Sequence, residues 1–162
     1  MVMGKWIAAA AVVLIGVLVY FVATRDKMSS DFTLRDTYGN SVSLSDYSGS
    51  VVVLDFWASW CPPCRAAMPA IDRIYLDYAS RGVVVLGVNI SDNRDPGQFM
   101  ADMGLSYPTL VHGEQVARDY GVKGIPTLIV VAPDGRIVYR DSGWAPHVEQ
   151  LIRDAIDDAL GG

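Results

Sequence analysis

Cys61 and Cys64 are the only cysteines in this 162-residue chain, and two prolines stand between them in Trp60-Cys61-Pro62-Pro63-Cys64. Two thiols at that spacing suit reversible thiol–disulfide exchange. One thiolate attacks a disulfide, and its neighbour then attacks the mixed disulfide that results. With both cysteines inside one motif, none remains for a structural bridge or a link to another chain. Zinc is a poor competitor. A structural site normally takes four ligands, and the only histidines, His112 and His147, lack close ligand spacing. A soft Cu(I) ion held by the two thiols is the alternative from a different functional class.

A third chemical group lies just upstream. Asp55 interrupts the apolar run Val51-Val52-Val53-Leu54-Asp55-Phe56-Trp57. A carboxylate in such a run is costly to bury unless its pKa rises or a partner compensates it. It is a candidate proton acceptor for Cys64 as the mixed disulfide resolves. The plainer alternative is a strand-end aspartate that reaches water or a backbone N–H.

The elements that must hold these groups can be read from periodicity. Val51–Trp57 is short, apolar and β-branched, as a strand covered on both faces would be. Residues 62 to about 80 carry apolar residues at helical spacing, and Pro69 is expected to kink this helix without ending it. Cys61 therefore sits at a helix N-terminus. Unpaired N–H groups and the helix dipole there can lower a thiol pKa from about 8.5 to roughly 3.5–7.5. Around this core the pattern predicts a hairpin at Phe32–Leu44 and a second buried strand at Gly82–Asn89. A helix follows at Asp95–Met103, then a short strand at Tyr107–Val111 and a short helix at Glu114–Tyr120. A strand pair turns at Pro133-Asp134-Gly135, and an amphipathic helix over Trp144–Leu160 closes the chain. Pro108 is expected to mark an edge strand. Trp60 is expected at the substrate surface, and Phe56 and Trp57 in the core. The order implies a mixed sheet with helices on both faces.

The expected organisation is an N-terminal flank at 1–5, a transmembrane anchor at 6–24, a linker at 25–30 and one α/β domain at 31–162. Trp6–Ala23 carries no charge and no proline and would span about 27 Å as a helix. A cleaved signal peptide is the competing reading, but its apolar core is usually shorter and needs small residues at the cut site. Lys5 flanks one end while Arg25 and Lys27 flank the other, so basic residues do not orient the segment. The net charge of −5, without a lysine or arginine cluster, argues against nucleic acid as a partner.

Two stretches resemble the signatures of the thioredoxin superfamily. They are Asp55-Phe56-Trp57-Ala58-Ser59-Trp60-Cys61-Pro62-Pro63-Cys64 and Tyr120-Gly121-Val122-Lys123-Gly124-Ile125-Pro126-Thr127-Leu128. The hairpin before the motif, the Asp92–Val111 segment and the anchor resemble the membrane-tethered TlpA/ResA-type branch. This resemblance implies a thioredoxin-like fold with an N-terminal β-hairpin and a central αβ insertion. It implies a redox-active disulfide between Cys61 and Cys64, with Cys61 as nucleophile, Cys64 as the buried resolving thiol and Asp55 as proton carrier. Trp60, Ile125, Pro126 and Thr127 would border the substrate, with Pro126 in the cis form that X–Pro bonds adopt only about 5–6% of the time.

The activity implied is reduction of protein disulfides by a monomer on the extracytoplasmic side of a bacterial membrane, without metal or organic cofactor. Electrons would come from a membrane thiol carrier. Running the exchange the other way would make it an oxidase or isomerase. Related copper chaperones often carry a ligand histidine near the last strands, whereas His147 falls in the closing helix. Two departures bear on a role in cytochrome c maturation. Ala67 stands where many anchored members have glutamate, and Asp55 where many have asparagine.

Overall fold

The computed structural model describes residues 28–161. The anchor expected at 6–24 lies outside them, and among the described residues no helix is long and apolar enough to cross a membrane. The chain enters beside the Pro133–Gly135 turn, where Ser29 N–H donates to the Gly135 carbonyl at 2.9 Å. Strands β1 (Thr33–Asp36) and β2 (Ser41–Ser43) form the expected antiparallel hairpin. Its turn is closed by the Asp36 carboxylate, which accepts from the N–H groups of Tyr38 and Asn40.

Next come β3 (Val52–Trp57) and α1 (Pro62–Tyr78), followed by β4 (Val84–Asn89). Helix α1 runs through Pro69, because its buried stripe of Cys64, Ala67, Met68, Ile71, Ile74 and Tyr78 continues on both sides of that residue. The central insertion is α2 (Pro96–Asp102), N-capped by Asp95, then β5 (Thr109–Val111) and α3 (Glu114–Asp119). The hairpin β6 (Thr127–Val131) and β7 (Ile137–Ser142) leads to α4 (Pro146–Gly161).

The strands form a seven-stranded mixed sheet in the order β2-β1-β5-β4-β3-β6-β7. Strand β4 runs parallel to β3 and β5, and the other pairs are antiparallel. One expectation needs correction. Pro108 does not mark an edge strand, because β5 is paired on both sides, by β1 and β4. The proline stands one residue before the strand, where its missing N–H interrupts no ladder bond. Its carbonyl still accepts from Gly87 N–H at 2.8 Å.

Alternation along β3 divides the core between the two faces of the sheet. Val53 and Trp57 join Cys61, Cys64, Met68 and Ile71 under α1, with Ile152 and Ile156 of α4. Val52, Leu54 and Phe56 pack on the other face with Val116 and Tyr120. Phe56 and Trp57 are thus core residues, as expected. Asp55 lies between Val53 and Trp57 in that alternation, so it faces the α1 side, where Cys64 is.

Candidate active site

Strand β3 ends at Trp57, and the turn Ala58-Ser59-Trp60 carries the chain into α1. Cys61 is the N-cap residue of that helix, in extended conformation, with prolines in the first two helical positions. Proline is well placed there, since those N–H groups have no intrahelical partner and its φ suits a helix start. Cys61 and Cys64 form a disulfide of 2.04 Å. The Cys64 N–H donates to Cys61 Sγ at 3.2 Å, so the open end of the helix is aimed at that sulfur. In the reduced protein the same N–H and the dipole favour a thiolate at Cys61. Both residues are buried, Cys64 completely.

The Ile125–Pro126 peptide bond is cis. It places the Ile125 carbonyl oxygen 3.6 Å from Cys61 Sγ. Pro126 and Thr127 are buried behind it, and the Thr127 hydroxyl is bonded to the Gly124 carbonyl (2.7 Å) and to Ser142 Oγ (2.8 Å). Trp60 is 57% exposed beside the cysteines, and its indole N–H donates to the Ser91 carbonyl at 2.8 Å. The two stretches that carry the resemblance therefore meet where the Ile125 carbonyl approaches Cys61 Sγ.

Asp55 is 1% exposed. Its Oδ2 accepts from the Tyr107 hydroxyl at 2.9 Å. Burial pushes its pKa up to about 7, and the Tyr107 bond offsets part of that rise. Tyr107 is itself buried, and burial together with the nearby Asp55 charge holds its hydroxyl well above the ordinary tyrosine range. A carboxyl that titrates near neutrality, on the face of β3 beneath α1, is suited to exchanging a proton with a thiol.

Two groups of residues went unread in the sequence. Tyr107, 52 residues from Asp55, is one. The other is a brace under the cysteine turn. Asp92 accepts from Ser59 N–H and Ser59 Oγ–H, from Asn89 Nδ2 at 3.1 Å and from Arg94 N–H at 3.1 Å. Burial raises the Asp92 pKa, but these donors outweigh it and hold the carboxylate below its usual range. Ser91, whose carbonyl holds Trp60, has φ +50° and donates its N–H to Glu114. In sequence Ser91-Asp92-Asn93 reads only as a turn, and nothing in it points to a partner 33 residues away.

His112 and His147 are exposed, and Ala67 is a fully buried apolar residue. Among the described residues no group of three or more histidine, cysteine or acidic side chains could hold a metal ion.

Residues 25–140 match the AhpC/TSA family. The thiol-disulfide oxidoreductase ResA of Bacillus subtilis is 34% identical over 126 residues, 76% of this chain and 69% of that protein. ResA of Halalkalibacterium halodurans is 31% identical over 137 residues, 83% of this chain and 77% of that protein. A crystal structure from Chlorobium tepidum, provisionally assigned as the thiol:disulfide interchange protein DsbE, superposes with a TM-score of 0.78. It is 35% identical and covers 84% of this chain and 97% of its own.

Proposed function

Because the chain belongs to the AhpC/TSA family, within the thioredoxin-like fold, we propose that it is a thiol–disulfide oxidoreductase that reduces protein disulfides. The observation that carries this reading is the Cys61–Cys64 pair at the N-terminus of α1, with Cys61 Sγ beside the Ile125 carbonyl. Cys61 thiolate attacks a substrate disulfide. A Cys61–substrate S–S bond forms, and the first substrate thiolate leaves and takes a proton from solvent. Cys64 then gives its proton to Asp55 and attacks Cys61 Sγ. The Cys61–Cys64 bond forms, the second substrate thiolate leaves, and two electrons have passed from the dithiol to the substrate. Ile125, immediately before Pro126, offers its backbone to an extended substrate segment in the manner of strand addition, whereas Thr127 is buried between β3 and β7 and supports the loop from within. Trp60 covers the flank.

The same reading places the domain on the outer side of a bacterial membrane, held by residues 6–24 and recharged by a membrane thiol carrier. The retained anchor rests on the length of that apolar segment, and the outward placement rests on the family resemblance. Ala67 and Asp55 favour general disulfide reduction over a role confined to cytochrome c maturation.

Reduction of insulin by dithiothreitol should be accelerated by the protein and lost in Cys61→Ser. Cys64→Ser should accumulate mixed disulfides with its substrates. A redox potential near that of thioredoxin, about −270 mV, supports reduction, whereas one near about −120 mV would make the protein an oxidant. Equal alkylation rates at the two thiols below pH 8 would reject the roles assigned to them. The intact protein should pellet with membranes until detergent is added, and a soluble form starting after Ala23 would reject the anchor.

A further inference from the structure

When a substrate is bound through Cys61, it covers the face where the cysteines meet solvent. The proton that Asp55 takes from Cys64 then needs another way out. Pairing across β3, β4 and β5 sets Asp55 opposite Gly87 and Gly87 opposite Thr109, so the three lie in line. A Cβ at position 87 would lie 2.6 Å from Thr109 Oγ1, 2.9 Å from Trp57 Nε1 and 3.1 Å from the Tyr107 ring. Only glycine lets these groups converge. Three polar atoms here, Asp55 Oδ1, Trp57 Nε1 and Thr109 Oγ1, are buried without a protein hydrogen-bond partner. Buried polar groups left open in this way are typically bridged by ordered water.

On the outer side of the same residues runs a groove of about 510 Å³, lined in part by Gly97, Met100, Leu105, Tyr107, Pro108 and Thr109. Tyr107 and Thr109 therefore stand between that groove and the carboxyl. We propose that Tyr107 and Thr109 form a side passage by which the Asp55 proton exchanges with solvent while substrate occupies the dithiol face. This rests on Asp55 acting as proton acceptor for Cys64.

In the resolving step the Cys64 proton moves to the Asp55 carboxylate. Asp55 loses that proton outward while the substrate is still attached, through the Tyr107 hydroxyl and a water bonded to Thr109 Oγ1, to the groove. The Cys64 thiolate then attacks Cys61 Sγ, so that the Cys61–Cys64 bond forms, the Cys61–substrate bond breaks and the substrate thiolate leaves. Tyr107 stays neutral throughout, accepting one proton as it donates another. It faces Asp55 from the segment just before β5, Cys64 joins the same buried cluster from α1, and the neighbouring β4 and α2 contribute Gly87, Phe99 and Met100. The remaining charge near Tyr107 is Asp72 of α1, which accepts from Ser106 N–H.

The full chain in detergent, fully reduced, is mixed in a stopped flow with a chromogenic aromatic disulfide or with a peptide disulfide. Two phases of thiol release separate attack by Cys61 from resolution by Cys64. Tyr107→Phe and Thr109→Val should each slow the second phase at least about tenfold, more with the peptide, as part of the roughly 10²–10⁴-fold effect of Asp55. Loss of a donor to the ionised carboxylate should also move the pH midpoint of that phase up by about one unit in Tyr107→Phe. A rise in the solvent deuterium isotope effect should accompany the slowing in both variants. Thr109→Val gives up no protein hydrogen bond, so it decides the matter even if Tyr107→Phe folds poorly. Resolution at the parental rate in Thr109→Val overturns the passage, as does a lower melting temperature in Tyr107→Phe with rate and midpoint unmoved. If Asp55→Asn is slow while Thr109→Val is not, the role of Asp55 stands and the passage falls. If Asp55→Asn itself resolves normally, the underlying reading of Asp55 fails.

Discussion

The tripeptide Pro-Thr-Leu occurs twice, as Pro108-Thr109-Leu110 and Pro126-Thr127-Leu128, and both times it leads the chain into a buried strand of the central sheet. The two copies are put to different uses. Pro126 is buried in a cis peptide that turns the Ile125 carbonyl toward Cys61, and the Thr127 hydroxyl is bonded on two sides. Pro108 is exposed, and the Thr109 hydroxyl is buried without a protein partner, next to the tyrosine that holds Asp55. One loop has its polar groups closed and its Ile125 carbonyl beside Cys61. The other leaves a polar group open beneath the cysteines. Identical residues thus border the cysteine sulfur in one place and surround a titrating carboxyl in the other, and the first is the docking edge of the proposed function. What separates them is the neighbouring strand: β6 lies against β3 directly, whereas β5 reaches Asp55 across Gly87.

The largest effect expected from breaking this division is at Asp55. Asp55→Asn should slow resolution by Cys64 by about 10²–10⁴-fold near neutral pH, measured as the second phase of single-turnover thiol release. Its stability effect has a definite sign. The folded-state pKa, about 7, lies above the ordinary 3.8. Protonated Asp55 therefore contributes stability that is fully present below about pH 4 and lost as pH rises through 7. The melting temperature of Asp55→Asn should accordingly match the parent near pH 4 and exceed it by a growing margin up to neutrality. The difference should reflect on the order of a few kcal/mol. A variant that melts lower at pH 7 and turns over normally would make Asp55 structural.

Pro126→Ala tests the docking edge and should have the next largest effect. Protein-disulfide reduction should fall about tenfold, the equivalent of one backbone hydrogen bond, while a small aromatic disulfide is reduced nearly as before. Equal losses on both substrates would mean that the loop does not hold a substrate chain.

The paired threonines separate stability from chemistry. Thr127→Val removes a hydroxyl with two partners and should cost about 1–3 kcal/mol in urea unfolding. Thr109→Val removes one with none, so its folding stability should be unchanged or higher, whatever happens to its kinetics. The reverse order would dissolve the contrast between the loops. Pro108→Ala should have the smallest effect, within about 0.5 kcal/mol and without change in turnover, as expected of an exposed residue whose carbonyl bond survives the substitution.

Much of this was legible in the chain itself. The buried strand before the cysteines, the helix after them, both hairpins and the closing helix follow from local periodicity and turn residues. So does the placement of Cys61 at a helix start, because a cap is a property of adjacent residues. A carboxylate in an apolar strand is conspicuous for the same local reason. The cis form of Pro126 was implied by family resemblance and not by its neighbours, which alone would argue for trans. Pro108 was misread as a mark of an edge strand. Its effect depends on where β5 inserts into the sheet, and that is settled by pairing with β1 and β4, which are distant in sequence.

What the sequence by itself determined, then, is the chemistry available: two thiols at one helix start, a carboxylate within an apolar strand just before them, and the framework that holds them. Tertiary structure decided how that chemistry is tuned. Tyr107 finds Asp55 across 52 residues, and Asp92 finds Ser59 across 33, only because the parallel order β5-β4-β3 sets the end of β4 beside the end of β3 and the entry to β5 across β4 from Asp55. The pKa of Asp55 is set by that packing, since the cost of charge depends on what surrounds the carboxyl on every side and not on its neighbours along the chain.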